Sequence, residues 1–374
     1  MGTSTRDVLS ALSEGRAGLS ACPLDVPFAA VCGVVDGILP SMPHALARSH
    51  SRTAQLALLG FEQISHEVAR AVERYGASRI GMFIGTSTGG ISQTEAFYTR
   101  YRDTGEIDSV YDYARQHEFF AFTDVLRAVS GIRGPRSVVS TACSSGAKVF
   151  TSARRLLDAG VIDAALVGGV DSLCQTTVRG FHSLGVMDPK PCRPFAADRS
   201  GMNVGEGVGM LLLERSAEPR AMFLGAGETS DAFDMASPEP DGRGAREAMR
   251  YALDEAGIEV SQIDYINAHG TATRRNDSAE SAAIHALFPA GVAVASTKSY
   301  TGHTLGAAGA IEAVFAIAAI EQSFIPANLG LHMKDPELHV NAVAARIAKP
   351  VRYALSNSLA FGGSNASLLF GSAR

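Results

Sequence analysis

The 374-residue chain has no tryptophan, and its five cysteines, Cys22, Cys32, Cys143, Cys174 and Cys192, form no Cys-x-x-Cys pair. His-Glu-x-x-His is missing too, so the usual spacings of zinc and iron–sulfur ligands are absent and no metal is expected. An odd cysteine count in a long chain fits the reducing cytoplasm better than a disulfide framework. The N-terminus lacks a basic stretch followed by an apolar core, so no signal peptide is expected. The longest apolar region, Leu305 to Ile320, is interrupted by Glu312 and reads as too short to span a bilayer. Charge is sparse as well. Charged residues make up 19% of the chain, the net charge is −5 and the pI is near 6.1, so no basic field exists to attract nucleic acid.

What the chain does have is 46% hydrophobic residues over a length that allows two domains or one large duplicated core. Helical periodicity appears at Arg6 to Ser13, His50 to Tyr75, Ser145 to Ala159, Gly244 to Ala256, Asp277 to Leu287 and Leu305 to Gln322. Strand-like runs appear at Arg79 to Ile84, Ser137 to Thr141, Ala164 to Val170, Gly207 to Leu213, Asp264 to Ala268, Val292 to Ser296 and Ala354 to Leu359. This alternation predicts an α/β fold with parallel sheets covered by helices. The softest boundary is Arg215 to Arg220. It divides the chain into related halves, 1–217 and 218–374, with the same rhythm of strand, small-residue turn, helix and strand.

Three segments share a form suited to chemistry: an apolar strand-like run ending in small polar residues and glycine. They are Val138 to Ala147 around Cys143, Asn267 to Thr273 around His269, and Ser296 to His303. Sites in open α/β sheets are built at the carboxyl ends of strands. A cysteine at a strand-to-helix junction meets free backbone N–H groups and the positive end of the helix dipole, which favour a thiolate. One nucleophile and two histidines point to acyl chemistry. Against this stand the bland readings of a buried small hydrophobe for Cys143 and of turn or core residues for the histidines.

Taken together, the segments resemble the β-ketoacyl-[acyl carrier protein] synthases of the elongating type, which have the thiolase fold. Thr141-Ala142-Cys143-Ser144-Ser145-Gly146 is similar to that family's nucleophile segment. His269-Gly270-Thr271-Ala272-Thr273, with Asp277 and Glu280, resembles its first histidine motif, and Lys298 to Gly309 resembles its second. Arg193-Pro194-Phe195 through Gly205-Glu206-Gly207, and Phe361 to Asn365, add supporting matches. Gly180 to Leu184, Glu228 to Ala232 and Thr273 to Asp277 look like ketosynthases of bacterial aryl-polyene pathways.

The resemblance implies a duplicated αβαβα core and decarboxylative Claisen condensation of malonyl carrier with an acyl chain held on Cys143. His269 and His303 would stabilise the enolate, Lys298 would polarise the site, and Glu312 would hold structure or relay charge. Phe361 would gate access and share an oxyanion hole with Cys143, while Thr271 and Thr273 would meet the pantetheine arm. No cofactor of the enzyme's own is implied, because substrates ride on acyl carrier protein. A homodimer is implied, with a heterodimer containing a chain-length-factor-like homologue as the other form. Arg48 and Arg52 are the candidate carrier-facing cations.

Two departures stand out. The family's opening strand, expected in the middle of a sheet, has no match ahead of Met1 to Ser4, and Arg274-Arg275-Asn276 replaces the usual proline and glycine. Competing readings remain open here. One is a non-catalytic chain-length-factor-like partner. Another is a serine hydrolase using Ser87 in Gly85-Thr86-Ser87-Thr88-Gly89, although Gly90-Ile91-Ser92 reads as a poor start for the helix such an elbow needs. Gly205 to Gly209 lacks dinucleotide-fingerprint spacing and reads as a turn.

Overall fold

Two principal sheets repeat one pairing pattern. In the computed structural model, which describes residues 1–216 and 218–373, the first sheet has the order Arg136–Val139, Ile80–Gly85, Ala164–Asp171, Gly207–Glu214. Its first three strands are parallel and the last is antiparallel. The second sheet runs Asn341–Ala342, Ala293–Ala295, Tyr265–Asn267, Tyr353–Ala360, Ser364–Ser372, Ala221–Ser230, parallel up to Tyr353–Ala360 and antiparallel beyond it. Strands Ile80–Gly85, Ala164–Asp171 and Tyr353–Ala360 are buried at every residue. That explains why they read as continuous apolar or small-residue runs rather than as alternation.

Helices Ser145–Asp158 and Ala308–Gln322 lie between the sheets and touch each other. Outside them, Arg52–Glu62 and Ala121–Ser130 pack on the first sheet, and Arg243–Ala256 and Arg274–Leu287 on the second. The result is the expected αβαβα layering. The apolar run Leu305–Gln322 forms 18 helical residues, long enough by composition to cross a bilayer, contrary to the sequence reading. It is instead 78% buried between the sheets, as an all-round apolar helix must be.

Several expectations need correction. The single helix read over His50 to Tyr75 is two, Arg52–Glu62 and Ser65–Tyr75, because Ile64 leaves helical geometry at φ −129° and ψ 10°. A 14-residue helix, Ile91–Thr104, does begin directly after the Gly-x-Ser-x-Gly turn. No residue of it is buried, so no amphipathic pattern announced it. Strand Ala221–Ser230 was hidden by Gly225 and Gly227, where a Cβ would stand 2.2 Å from Ala252 O and 1.9 Å from Ala248 O of the covering helix. The expected half boundary falls at Ala217, which with Arg374 lies outside the described residues. Among the described residues the first sheet ends at Gly207–Glu214, whereas the second continues to Ala221–Ser230. The place without a counterpart is therefore a sheet edge, not the sheet's middle.

The two central helices meet through glycine. A Cβ on Gly146 would lie 2.7 Å from Gly306 O and 2.9 Å from Ala310 N, and one on Gly309 would lie 2.6 Å from Ala147 N. Gly309→Ala should cost about 1–3 kcal/mol of stability by overpacking backbone against backbone. Gly180→Ala, also helical but with nothing within 4 Å of the added Cβ, should be neutral or slightly stabilising. Denaturant midpoints compare the two, and equal effects would refute a tight crossing.

Candidate active site

The reactive segments all leave the carboxyl ends of strands. Thr86 to Thr88 follow Ile80–Gly85, Cys143 follows Arg136–Val139, and Asp171 closes Ala164–Asp171. His269 follows Tyr265–Asn267, Lys298 follows Ala293–Ala295, and Phe361 follows Tyr353–Ala360. Cys143 stands on a strained turn, for the preceding Ala142 has φ 53°. Small hydroxyl residues lock that turn: Thr141 N donates to Ser145 Oγ at 2.9 Å, Ser145 Oγ to Ala142 O at 2.6 Å, and Ser144 Oγ to Thr141 O at 2.9 Å.

Both histidines reach the thiol's surroundings. His303 Nε2 lies 3.0 Å from Cys143 Sγ, and the His269 and His303 rings stand edge to face with centroids 5.1 Å apart. Their backbones are fixed independently. Glu280 accepts the N–H groups of His269 (2.8 Å) and Gly270 (2.7 Å). His303 N donates to Asn203 O at 2.7 Å, and Gly205 N to His303 O at 2.8 Å. Lys298 is no surface lysine. It is buried, with Nζ 2.5 Å from Glu312 Oε1. Thr271 and Thr273 hydrogen-bond each other at 2.9 Å through their hydroxyls, across Ala272 at φ 66°. The Phe361 N–H points at the Cys143 sulfur, and its half-exposed ring meets Phe181 edge-on at 5.7 Å. Of the residues singled out from the motifs, His269, His303, Lys298, Glu312 and Phe361 stand near the thiol.

The electrostatics differ from expectation in one respect. Burial pushes the Cys143 thiol up to about 12, against the opposing pull of the Lys298 charge and the Phe361 N–H. Desolvation outweighs the helix end, and the resting group is the thiol. Burial, reinforced by Lys298, holds both imidazoles well below the ordinary histidine range, with His303 adding to the effect on His269. Neither ring's Nδ1 has a hydrogen-bond partner among the described residues, so no carboxylate restores their basicity. Burial raises Glu312 to about 7 despite Lys298. The ligating atoms of Cys143, His269 and His303 lie within 4.8 Å of one another, a donor set a soft cation would accept. The adjacent Lys298 ammonium opposes one.

Arg52 is not a free carrier-facing cation. Its guanidinium is held by Glu206, whose side chain is fully buried and also accepts the Val35 and Leu173 N–H groups. Arg48 remains exposed, 3.5 Å from Asp112. Among the described residues Ser87 Oγ has no hydrogen bond to a histidine, and the carboxylate beside it, Asp171, is already taken up by backbone and hydroxyl donors. The sequence reading missed Asp171. Its signal was there, an acidic residue at the carboxyl end of a buried strand, but its partners lie far away in the chain.

Residues 33–218 match the β-ketoacyl synthase N-terminal domain, and residues 220–332 match the C-terminal domain. A 3-oxoacyl-[acyl-carrier-protein] synthase 2 of Staphylococcus aureus is 33% identical over 348 residues, covering 87% of this chain and 85% of that protein. Among solved structures, the ketosynthase ApeO in complex with its chain length factor ApeC from Xenorhabdus doucetiae superposes with a TM-score of 0.93 at 37% identity. That match covers 98% of this chain and 94% of the other. The ishigamide ketosynthase/chain length factor gives 0.92 at 28% identity over 99% and 96%. With the thiol, the paired imidazoles and the layered halves already in place, these similarities establish that the chain belongs to the β-ketoacyl synthase family of acyl-transferring condensing enzymes.

Proposed function

We propose that this protein elongates an acyl chain carried on acyl carrier protein by decarboxylative condensation with malonyl carrier. The observation that carries the reading is the 3.0 Å contact of Cys143 Sγ with a neutral His303 imidazole. The incoming thioester carbonyl meets the sulfur as the thiol proton passes to His303 Nε2. Sulfur–carbon bond formation displaces the carrier thiolate, which takes that proton. The N–H groups of Cys143 and Phe361 receive the oxyanion, where one such donor contributes about 3 kcal/mol. Malonyl carrier then loses CO₂. The enolate oxygen sits between His269 and His303, and its carbon attacks the acyl-cysteine, releasing the Cys143 thiolate, which is reprotonated by a proton taken up from solvent. Thr271 and Thr273 face the pantetheine arm, Phe361 swings as the gate, and Lys298 with Glu312 sets the local potential. Residues 1–217 supply the thiol and 218–374 the imidazoles.

Partner and compartment follow from the same reading. The unburied helix Ile91–Thr104 carries Tyr98 and Tyr101. With Ile107, Val110 and Tyr113, close by in the chain, they are exposed large hydrophobic residues that a second ketosynthase-fold chain would cover. That chain is a second copy or a chain-length-factor-like homologue. Five free cysteines accord with the cytoplasm. A non-catalytic role leaves the intact thiol–imidazole contact without a use. We assign a rigid donor, unsaturated or aryl-capped, supported by the aryl-polyene-like segments and the 37% identity to ApeO.

Cys143→Ala should take up no acyl group, His269→Ala should retain acylation but lose about 10²–10³-fold in condensation, and His303→Ala, which also removes the group that takes the thiol proton, should lose in both steps. Intact-protein mass spectrometry and carrier-linked product assays separate the two steps. Wild-type condensation in both histidine variants would overturn the mechanism.

Because the imidazoles stay neutral far below the usual range, the condensation rate should show no histidine titration between about pH 7.5 and 6. The inflection expected near 7 belongs to Glu312 and should vanish in Glu312→Gln. An imidazole-like fall surviving in that variant would contradict the electrostatic reading.

Competition between cinnamoyl- or polyenoyl-carrier and saturated C8 to C12 carriers, read as relative kcat/KM, tests the donor class. A flat conjugated chain freezes few rotors on binding and should win. Preference for the saturated donors would remove the aryl-polyene assignment and leave the condensing activity standing.

A further inference from the structure

Asp171 is fully buried, and among the described residues no cation pairs with it. Its carboxylate is satisfied by backbone and hydroxyl donors from two distant segments. Oδ1 accepts Thr86 Oγ1 (2.6 Å), Thr88 Oγ1 (2.9 Å) and Thr88 N (3.1 Å). Ser87 N is shared between the oxygens at 3.0 and 2.9 Å, and Oδ2 accepts Gly306 N at 2.6 Å. One side chain therefore fastens the loop after Ile80–Gly85 to the turn that leaves His303. That turn is under tension, since Leu305 holds φ 52° without being glycine, a conformation that persists only when its surroundings enforce it. The contact is close. A Cβ on Gly306 would lie 2.5 Å from Ser87 N and 2.7 Å from Asp171 Oδ2.

We propose that Asp171 is a positioning residue of the condensing site: it anchors the 303–306 turn to the 86–88 loop and so fixes the His303 imidazole against the Cys143 thiol. The proposal rests on the condensing reading for its kinetic readout only. His303 is held on its other side by Asn203 O and Gly205 N, so the ring is clamped between the short Val204–Gly205 strand and the Asp171 anchor. Misplacement of a reacting group by about 1 Å costs on the order of 10²-fold in rate. Asp171 also acts through its charge. The charged and titratable groups facing Cys143 are His269, His303, Lys298, Glu312 and Asp171. Of these Asp171 and Glu312 disfavour the thiolate, while Lys298 favours it.

The test combines three variants with two readouts, kcat and KM for condensation and the pH profile of Cys143 alkylation by iodoacetamide. In Asp171→Asn the amide NH₂ confronts the Gly306 or Ser87 N–H. The expected result is about 10²-fold lower kcat, little change in donor KM, and an alkylation profile displaced to lower pH. Gly306→Ala keeps the charge but pushes the turn away, so kcat should fall while the profile stays put. Thr86→Val, which removes one hydroxyl and no charge, should also leave the profile in place. A folded Asp171→Asn with wild-type kcat and profile, or one altered only in thermal midpoint, overturns the assignment. If Asp171→Asn does not fold, Gly306→Ala decides: wild-type kcat there rejects the anchor. If the wild-type protein does not condense malonyl carrier, the functional reading fails, and self-acylation from an acyl coenzyme A decides the anchor: a wild-type acylation rate in Gly306→Ala rejects it.

Discussion

The site depends on how closely two helices approach one another. Helices Ser145–Asp158 and Ala308–Gln322 each follow a reactive segment, one after Cys143 and the other after His303. They cross where Gly146 meets the backbone of Gly306 and Ala310, and Gly309 meets Ala147. A Cβ on Gly146 or Gly309 would stand 2.6–2.9 Å from the facing backbone, so the helices, and with them the sulfur and imidazole now 3.0 Å apart, would have to separate. Since each half of the protein contributes one helix, this contact is also where the duplicated sheets become one catalytic body. The glycines cost helix propensity, about 1 kcal/mol each relative to alanine, and the flanking Ala147 and Ala310 offset part of it.

Around that crossing, buried carboxylates do the work that loop-stiffening sequence would do elsewhere. Asp171 takes Gly306 N, Glu280 takes His269 N and Gly270 N, and Asp277 takes Phe195 N and Ala272 N. The segments they grip contain Leu305, Ala272 and Phe195, non-glycine residues at positive φ, each costing on the order of 1–3 kcal/mol. A carboxylate bonded to several backbone N–H groups supplies charge-assisted hydrogen bonds of about twice neutral strength. Burial raises all three acids, Asp277 to about 6, and the N–H donors pull them back. The loops are held by the same interactions that oppose the upward shift of the acids, so strain and charge are mutually dependent.

Legibility in the sequence divided along contact distance. The segments at Cys143, His269 and Lys298 to His303 were readable because each carries its own signature, an apolar strand ending in small polar residues, and the strand ends sit where that pattern placed them. Parallel sheets covered by helices followed from the alternation of such units, and the αβαβα layering from the family resemblance. Features set by partners far along the chain were not readable. Arg52 looked like a surface cation because nothing nearby reveals Glu206, 154 positions away. Asp171 needs Gly306, 135 positions distant. Ala221–Ser230 lost its strand signature to Gly225 and Gly227, whose role is to admit a helix backbone. Helix Ile91–Thr104 carries no core-facing stripe because no face of it is buried in this chain.

The thiol pushed up to about 12 and the two depressed imidazoles describe a resting centre whose charge lies on Lys298, Glu312 and Asp171 and not on the reacting groups. In a dry pocket a lone thiolate would be costly, and two imidazolium groups beside Lys298 more so. Neutrality is the state burial selects. On the proposed mechanism the first half-reaction places a negative charge on a thioester oxygen near the Phe361 N–H while His303 holds the thiol proton, and the second places one on the enolate near the imidazoles. That charge appears among donors that were already oriented and needs little solvent reorganisation to be stabilised. Lys298 gains from this most directly, because its partner Glu312 sits near neutrality at about 7 and leaves part of the ammonium's field uncancelled. A site assembled from a low-pKa thiolate would have spent that field on the resting enzyme. This one keeps it for the transition states.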